Sequence, residues 1–461
     1  MNRAHVDLEW TNTEAVEKLE QFLPHLCAQI DADGLLNQSF DTREWIEQAR
    51  GKSSALAWLL DRIALIPTTP ALREQSFESL GFDIHWTHHD IGRLRTGARF
   101  PARPIHYQRG EFARGVNVKE LLNRPLSGNK PLPMKHAAKL LDACRSALAA
   151  RRRETDPVTY ANDREITLFQ LDHGIDVAII GMKPDRRLPI ESFFGYVAAR
   201  NRIPCSYGGG WVLGRRCEIG VNIFDEFRGG ESALLFAQIM RVYHRHFGVT
   251  HFLVDPFQFG AGNAEAIKSG AFWFYYRLGF RPIDAALHHL AENEATKIQA
   301  DRTHRSSAAT LRRLAGDKVR FDLNTAPAVA GDLDLADLGI AVTHWIGRRF
   351  DGDLAKAGKW SERHIRGVLG IRSMSARSEF ERNAFRQWSI LMSMIDDIKT
   401  WSGEKQLAAK IMRAKIGPSE RTFALALQRH PRLLGALAKI AVGGSKLNST
   451  PDSNLPSVCN Q

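Results

Sequence analysis

The spacing of apolar residues divides the chain into regions with different predicted structures. Apolar positions from Leu19 to Ile30 and from Trp45 to Ile66 follow the period of an amphipathic helix. Residues 67–133 are rich in Gly, Pro and Arg and have weak periodicity, which indicates irregular structure. Helical spacing returns at residues 134–152. We therefore predict a helical and irregular N-terminal region over residues 1–160.

Between residues 161 and 290, segments typical of strands and of helices alternate. Residues 165–182 predict two strands with a turn at 172–174, and residues 203–224 predict two strands with glycine-rich turns. The other segments predict helices at 188–200, 231–247 and 269–279, and strands at 250–258 and 280–284. This alternation predicts an α/β domain in which a mixed twisted sheet has helices on both faces.

Beyond Ala285 the chain has helical spacing almost throughout, in segments near 284–300, 332–349, 361–370, 376–401, 404–415 and 418–442. We predict a mainly helical C-terminal region over residues 291–442. Residues 443–461 have the polar composition of a disordered tail.

Composition narrows the class of protein. A chain of 461 residues with 44% hydrophobic content can form two or three domains with a sizeable core. No apolar run reaches about 18 residues and the N-terminus lacks the apolar block of a signal peptide, so no membrane span is expected. The 5 cysteines are scattered without a C-x-x-C pair, which argues against a disulfide framework and a structural zinc site. These features predict a cytoplasmic protein.

The net charge of +12 is concentrated in one segment. Residues 91–155 contain 15 Lys and Arg against 4 Asp and Glu, so this segment accounts for nearly all of the excess. A basic segment can attract nucleic acid, an acidic partner or a phosphorylated cofactor, or can be a solvated surface. Aromatic residues are sparse in it, so a base-stacking platform has little support there.

Two motifs stand out within residues 165–285. The first is EIGVNIFDEFRGGESALL (218–235), in which a strand leads through a glycine-containing loop into a long helix. The second is AFWFYYRLGF (271–280), a helix that leads into a short strand. Both motifs resemble those of the GNAT superfamily of acyl-CoA N-acyltransferases, whose pattern Ala271, Tyr275, Gly279 and Phe280 match. Backbone N–H groups of such a loop, together with the helix N-terminus, can hold a pyrophosphate.

The resemblance implies acetyl-CoA or another acyl-CoA as co-substrate. It assigns backbone contacts with the pantetheine arm to the strand from Val221 to Ile223. The residues that it implies for cofactor binding, with no metal, are Val221, Ile223, Arg228, Gly229, Gly230, Ser232, Ala233 and Asn263. The chain departs from the family at Glu231, which stands where a glycine is usual, and a carboxylate that pointed into the loop would repel a pyrophosphate.

The same resemblance assigns catalytic roles. Tyr275 would return a proton to the departing CoA thiolate, and Glu218 would accept the proton of the attacking amine. Two other interpretations stay open: the five consecutive aromatic residues from Phe272 to Tyr276 can be plain core, and Glu218 can be a surface or ion-paired residue.

The acceptor pocket is predicted from unusual aromatic positions. Tyr207 and Trp211 flank three consecutive glycines, which indicate either a tight turn or a close approach of the backbone to a ligand. Tyr276 points about 100° from Tyr275 around the helix, and is either a structural residue or a further candidate for this pocket.

Histidine 85 and the run His88-His89-Asp90 do not have the spacing of a metal site, so no metal is expected. The leading hypothesis is an acyl-CoA-dependent N-acyltransferase that acts on a small-molecule or peptide amine. The alternatives are a catalytically inactive GNAT-like interaction or scaffold protein, and a nucleic-acid-binding protein that uses residues 91–155.

Overall fold

The computed structural model describes residues 6–28, 30–31, 35, 41–87, 97–110, 115–126, 131–323, 333–375, 377–415 and 417–448. The chain divides into two compact units, Met1–Gly97 and Ala98–Gln461. Each unit is described by itself.

The first unit combines short helices with a two-stranded sheet. Its elements are β1 (Val6–Leu8), α1 (Thr13–Leu26), α2 (Thr42–Ala49), α3 (Ala55–Ala64), α4 (Pro70–Leu80) and β2 (Ile84–Trp86). Polar caps begin the helices: the Ser54 side chain accepts a hydrogen bond from Ala57 N, and Thr69 accepts one from Leu72 N. Helix α4 lies in the segment that was expected to be irregular.

The second unit is built on an eight-stranded mixed sheet. Its strands are β3 (Ala161–Gln170), β4 (Ile175–Met182), β5 (Ser192–Arg200), β6 (Ile203–Leu213), β7 (Arg216–Ile223), β8 (His251–Val254), β9 (Arg281–Pro282) and β10 (Val319–Asp322). They are ordered β3-β4-β5-β6-β7-β8-β10-β9. The pair β7–β8 is parallel and the other neighbouring pairs are antiparallel. The predicted mixed α/β architecture is therefore confirmed.

Helices cover the sheet on two sides. They are α5 (Val118–Asn123), α6 (Met134–Ala149), α7 (Asp156–Thr159), α8 (Ser232–Phe247), α9 (Ala264–Ser269), α10 (Ala271–Arg277), α11 (Ala285–Ala300) and α12 (Ala308–Leu314). One apolar core joins α5, α8, α10 and α12 to one face of the sheet, and a second joins α6 and α7 to the other face. Because side chains alternate along a strand, Tyr196 of β5 enters the first core and its neighbour Val197 enters the second.

A group of helices completes the unit. They are α13 (Leu335–Phe350), α14 (Leu354–Leu369), α15 (Glu379–Ser393), α16 (Gly403–Lys415), α17 (Glu420–Gln428) and α18 (Pro431–Asn448). Trp388 and Trp401 are fully buried in their shared core. Helix α18 extends to Asn448, into the segment that was predicted to be a disordered tail, and the rest of that tail lies outside the described residues.

Three further sequence-based expectations differ from the structure. In the segment 188–200, residues 192–200 form β5 rather than a helix, because a continuous apolar run is compatible with a strand buried on both faces. The glycines after Tyr207 lie inside β6, and the turn comes later, at Gly214. Strand β10 was not predicted, although it joins the sheet from beyond the expected domain boundary at residue 290.

Candidate functional site

The parallel strands β7 and β8 separate towards their carboxyl ends. They pair from Arg216 with His251 to Glu218 with Leu253, and β7 continues to Ile223 without a strand partner on that edge among the described residues. The amide of Val221, on this free part of the strand, donates to Oε1 of Gln258 at 3.4 Å. A side chain of the protein thus reaches the backbone of β7 where no strand does.

The loop between β7 and α8 has a backbone that glycine makes possible. Gly229 and Gly230 have φ values of +87° and +51°, and a Cβ on either would have no heavy atom within 4 Å. Space therefore remains beside both glycines. Gly208 and Gly209 of β6 differ, because neighbouring atoms fill the position of a Cβ there. The loop is open on the side of Gly229 and Gly230.

Several amides of this loop make no hydrogen bond with any described residue. Helix α8 has no side-chain cap; Ser232 N donates to Gly229 O at 3.2 Å and Leu235 N donates to Glu231 O at 2.9 Å. Within the described part of the chain, no hydrogen bond is made by the amides of Gly229, Gly230, Ala233 or Leu234. These N–H groups lie at the positive end of the helix dipole, and together they can bind an anion.

The carboxylate of Glu231 does not use these amides. Its side chain is 3% exposed and forms an ion pair with the Arg200 guanidinium from the end of β5. In the part of the chain that the structure describes, neither of its oxygens accepts a hydrogen bond from a loop amide. The residue that departs from the GNAT pattern is therefore neutralised by a cation, and it leaves the loop amides unoccupied.

Arg228 is held by carboxylates of the protein. Its Nη1 lies 2.5 Å from Oε1 of Glu265 and its Nη2 lies 3.0 Å from Oδ1 of Asp225. The interaction lowers the pKa of Glu265, mainly through the hydrogen bond from Arg228. An anion bound in the loop would compete with these carboxylates for the guanidinium.

Tyr275 lies in an aromatic cluster next to β7. It is 3% exposed, and its ring contacts Phe236 and Phe280 at centroid distances of 5.8 Å. Burial raises the pKa of Tyr275 well above its ordinary value, so the phenol stays protonated at neutral pH. Burial also raises the pKa of Tyr196, to which the nearby Tyr275 contributes, and the Tyr196 hydroxyl donates to Gly220 O on β7 at 2.9 Å.

Glu218 projects from β7 on the other face of the sheet. Its neighbours Cys217 and Ile219 belong to the core that contains Tyr275, so alternation directs Glu218 away from it. Glu218 Oε2 lies 2.6 Å from Lys318 Nζ. In register beside it are Trp211, which is 37% exposed, and Phe193, whose ring lies 4.9 Å from that of Trp211. This row of three side chains is a partly open polar and aromatic surface.

The other predicted site residues have structural contacts. Tyr207 is buried on the face opposite Tyr275 and stacks on Phe224 at 5.6 Å, and burial raises the pKa of its phenol. The Tyr276 ring is covered by the Arg281 guanidinium at 3.8 Å. The Asn263 side chain caps α9, since it accepts from Ala266 N at 3.0 Å and donates to Phe257 O at 3.0 Å.

The three glycines between Tyr207 and Trp211 are explained by the protein's own packing. A Cβ at Gly209 would overlap the Phe193 ring, and a Cβ at Gly208 would overlap both Gly220 O and the Tyr196 phenol. The expected close approach to a ligand is thus an approach of aromatic rings to the backbone of β6.

Sequence reasoning missed two residues of this site, Gln258 and Arg200. Each acts on a segment distant in sequence, and neither belongs to a local motif. The run His88-His89-Asp90 lies outside the described residues; among those that are described, no group of His, Cys, Asp and Glu could hold a metal ion. No helix in the described ranges has the length and apolar character needed to cross a membrane.

Comparisons of the chain with models of protein families, with curated proteins and with solved structures gave no match.

Proposed function

We propose that this protein is a GNAT-like acyltransferase that transfers an acyl group from an acyl-CoA to an amine. The observation that carries the proposal is the set of amides of Gly229, Gly230, Ala233 and Leu234, which make no hydrogen bond in the described part of the chain and lie at the open end of a parallel strand pair. A loop of this kind suits the pyrophosphate of CoA.

The free edge of β7 lies where the acyl-pantetheine arm of a CoA bound in the loop would run. The free edge of β7 runs from Ile219 to Ile223, directly before the loop. An extended acyl-pantetheine arm can pair with this edge after it displaces the side-chain oxygen of Gln258, which accepts a hydrogen bond from Val221 N. This bond is long, at 3.4 Å.

The proposed chemistry places an acid and a base on opposite faces of β7. The amine nitrogen attacks the thioester carbonyl, the C–S bond breaks, and the thiolate takes a proton from the Tyr275 hydroxyl. The amine proton passes to Glu218, directly or through water, once Lys318 has released the carboxylate. Trp211 beside Glu218 provides an aromatic wall for a cationic acceptor.

The test of cofactor binding is a thermal shift with acetyl-CoA and with longer acyl-CoAs. A ligand at 100 times its Kd should stabilise the protein by about 2.7 kcal/mol. The pantetheine analogue without the nucleotide is the matched control, since it lacks the pyrophosphate and should give a much smaller shift. If no acyl-CoA raises the melting temperature, the proposed acyltransferase function is excluded.

Catalysis is tested separately with Tyr275→Phe. We expect turnover to fall at least tenfold while the affinity for CoA changes little, because the variant loses the proton donor but retains the ring. Tyr160→Phe, on β3's amino-terminal side, is the control. Unaltered turnover would exclude Tyr275 from the mechanism.

A GNAT-like binding module without catalysis is the second candidate. The burial of Tyr275 favours it, since a phenol that is 3% exposed must gain access to a thiolate before it can donate a proton. Acyl-CoA binding without transfer to any of a panel of amines would support this alternative.

A further inference from the structure

The helices α13 and α14 present a surface on which aromatic rings and cations are interleaved. We call it the α13–α14 patch; its rings are Trp345, Trp360 and His364, and its cations are Arg348, Arg349, Lys356, Lys359 and Arg363. It belongs to the helical region that follows the sheet, and the proposed acyltransferase chemistry makes no use of it.

Helix geometry places these residues together. On α14, Lys356, Lys359, Trp360 and Arg363 follow the spacing i, i+3, i+4 and i+7, which is one face of a helix. On α13, Trp345, Arg348 and Arg349 follow the same spacing. The two faces meet where the Trp345 and Trp360 rings lie 6.3 Å apart.

The rings of the patch are partly exposed and ordered by stacking. Trp360 lies against His364 at 5.0 Å with an angle of 15° between the ring planes. The Arg349 guanidinium lies 4.3 Å from the centre of the Trp360 ring. Trp345 and Trp360 are both half-buried, because the core beneath them, which includes Phe350, covers only part of each ring. Both tryptophans therefore keep part of their surface exposed beside the cations.

The five cations of the patch are Arg348, Arg349, Lys356, Lys359 and Arg363, and all are exposed. None of them forms an ion pair with another residue in the described part of the chain. Of the carboxylates near the patch in sequence, Glu362 lies 3.4 Å from Arg386 Nε, and Asp353 caps α14 through Lys356 N. Asp351 is exposed at the end of α13. The patch is thus a concentration of positive charge that forms no ion pair with any described carboxylate.

His364 adds a ring rather than a charge. Its pKa is lowered, first by burial and then by the nearby cations Lys399 and Arg349, so the imidazole is neutral at neutral pH. The groups that face it are Trp360 and these two cations, and no carboxylate contributes to the shift.

We propose that the α13–α14 patch binds single-stranded nucleic acid. Cations on the surface can neutralise phosphates, and partly exposed rings can stack with bases. The faces of bases are available in a single strand but not in a duplex, where they are already stacked. An anionic membrane or an acidic peptide would use the charges but not the stacked rings. The site differs from the basic segment 91–155, which offers few aromatic residues.

The experiment measures the fluorescence anisotropy of a labelled 20-nucleotide oligo-dT with the full-length protein. If about five phosphates are neutralised, raising the salt from about 50 to 200 mM should weaken binding roughly 100-fold. Trp360→Leu should weaken it about fivefold or more at constant salt. Trp10→Leu, at a half-buried tryptophan of the first unit, should leave the affinity unchanged.

A matched pair of double variants locates the site. Lys356→Gln/Lys359→Gln and Lys135→Gln/Lys139→Gln each remove two exposed charges, the second pair from the rival basic segment. We expect the first variant to flatten the salt dependence and to weaken binding at least tenfold, and the second to have little effect. Equal weakening by both variants would overturn the proposal, because it would indicate general electrostatic attraction.

Two further results would also overturn it. One is the absence of oligonucleotide binding at about 50 mM salt by a protein that melts cooperatively. The other is binding of vesicles rich in phosphatidylserine without binding of the oligonucleotide, which would assign the patch to a membrane surface.

Discussion

The two ends of helix α8 differ in how their backbone groups are satisfied. At the carboxyl end, Gly248 ends the helix with φ +72°, Gln428 Nε2 donates to Phe247 O at 2.6 Å, and Arg421 Nε donates to His246 O at 2.9 Å. At the amino end, no side chain caps the helix and the amides of Ala233 and Leu234 have no partner in the described chain.

The two ends of α8 therefore have different roles: the carboxyl end is bonded within the protein, and the amino end is available to a ligand. Every helix leaves unpaired groups at both ends, and buried ends normally find partners within the protein. Here side chains from α17, which lies far away in sequence, satisfy the carboxyl end. The amino end retains its hydrogen-bonding capacity, which an anionic ligand can use.

The largest effect is expected at the satisfied end. Gln428→Leu leaves two carbonyls, Phe247 O and Gly214 O, without their donor, since Nε2 lies 2.6 Å from each. We expect the free energy of unfolding to fall by about 2–3 kcal/mol. Urea denaturation measures this loss, and Gln299→Leu on the exposed side of α11 is the control, with an effect below about 0.5 kcal/mol. Equal effects of the two variants would show that the carboxyl-end bonds contribute nothing.

The next effect concerns the acidic residue at the open end. Arg200→Met leaves the Glu231 carboxylate buried without its cation, so we expect a loss of about 2 kcal/mol, less than for a pair that is fully excluded from water. The double variant Arg200→Met/Glu231→Gln should recover most of it. If urea denaturation shows no recovery, the ion pair is not what makes Arg200 important.

A pH dependence arises near the carboxyl end. His246 is 5% exposed, and burial lowers its pKa to about 3, so it is neutral in the folded protein. In the unfolded chain, His246 binds a proton when the pH falls below the ordinary histidine pKa of about 6.5. Protonation therefore favours the unfolded state, so the free energy of unfolding is unaffected by His246 above about pH 6.5 and decreases as the pH falls from there towards 3.

Between pH 7 and pH 5 this difference amounts to about 2 kcal/mol, which should be absent from His246→Leu. The comparison of unfolding free energies at the two pH values measures it, and His289→Gln, at an exposed histidine, is the control. An equal pH dependence in His246→Leu and the wild type would contradict the assignment.

The sequence predicted those features of the site that depend on neighbouring residues. The strand, loop and helix from Glu218 to Phe247 follow from local pattern, as do Gly279 and the helix before it. The existence of the sheet was predictable in the same way. These elements need only spacing and turn chemistry.

The features that were missed depend on contacts between distant segments. The pairing of Arg200 with Glu231 requires β5, β6 and β7 to align in register, and no local signal encodes it. The glycines of β6 looked like a turn because the rings that fill their space come from Phe193 and Tyr196 on another strand. Strand β10 is 4 residues long and lies between helices, so its pattern was too short to detect.

The smallest effect on stability should come with the clearest effect on binding. Ser232→Asp adds a carboxylate at the first position of α8, where the helix dipole favours negative charge by about 0.3–1 kcal/mol. The variant loses the hydrogen bond from Ser232 Oγ to Gly229 O, so stability should change by less than about 1 kcal/mol. The same charge should repel a phosphate at the neighbouring amides and lower the affinity for acyl-CoA at least tenfold.

Isothermal titration measures the affinity, and Ala285→Asp, at the equivalent position of α11, controls for the added charge. An acyl-CoA affinity that stays the same in Ser232→Asp would mean that the ligand does not use the open end of α8.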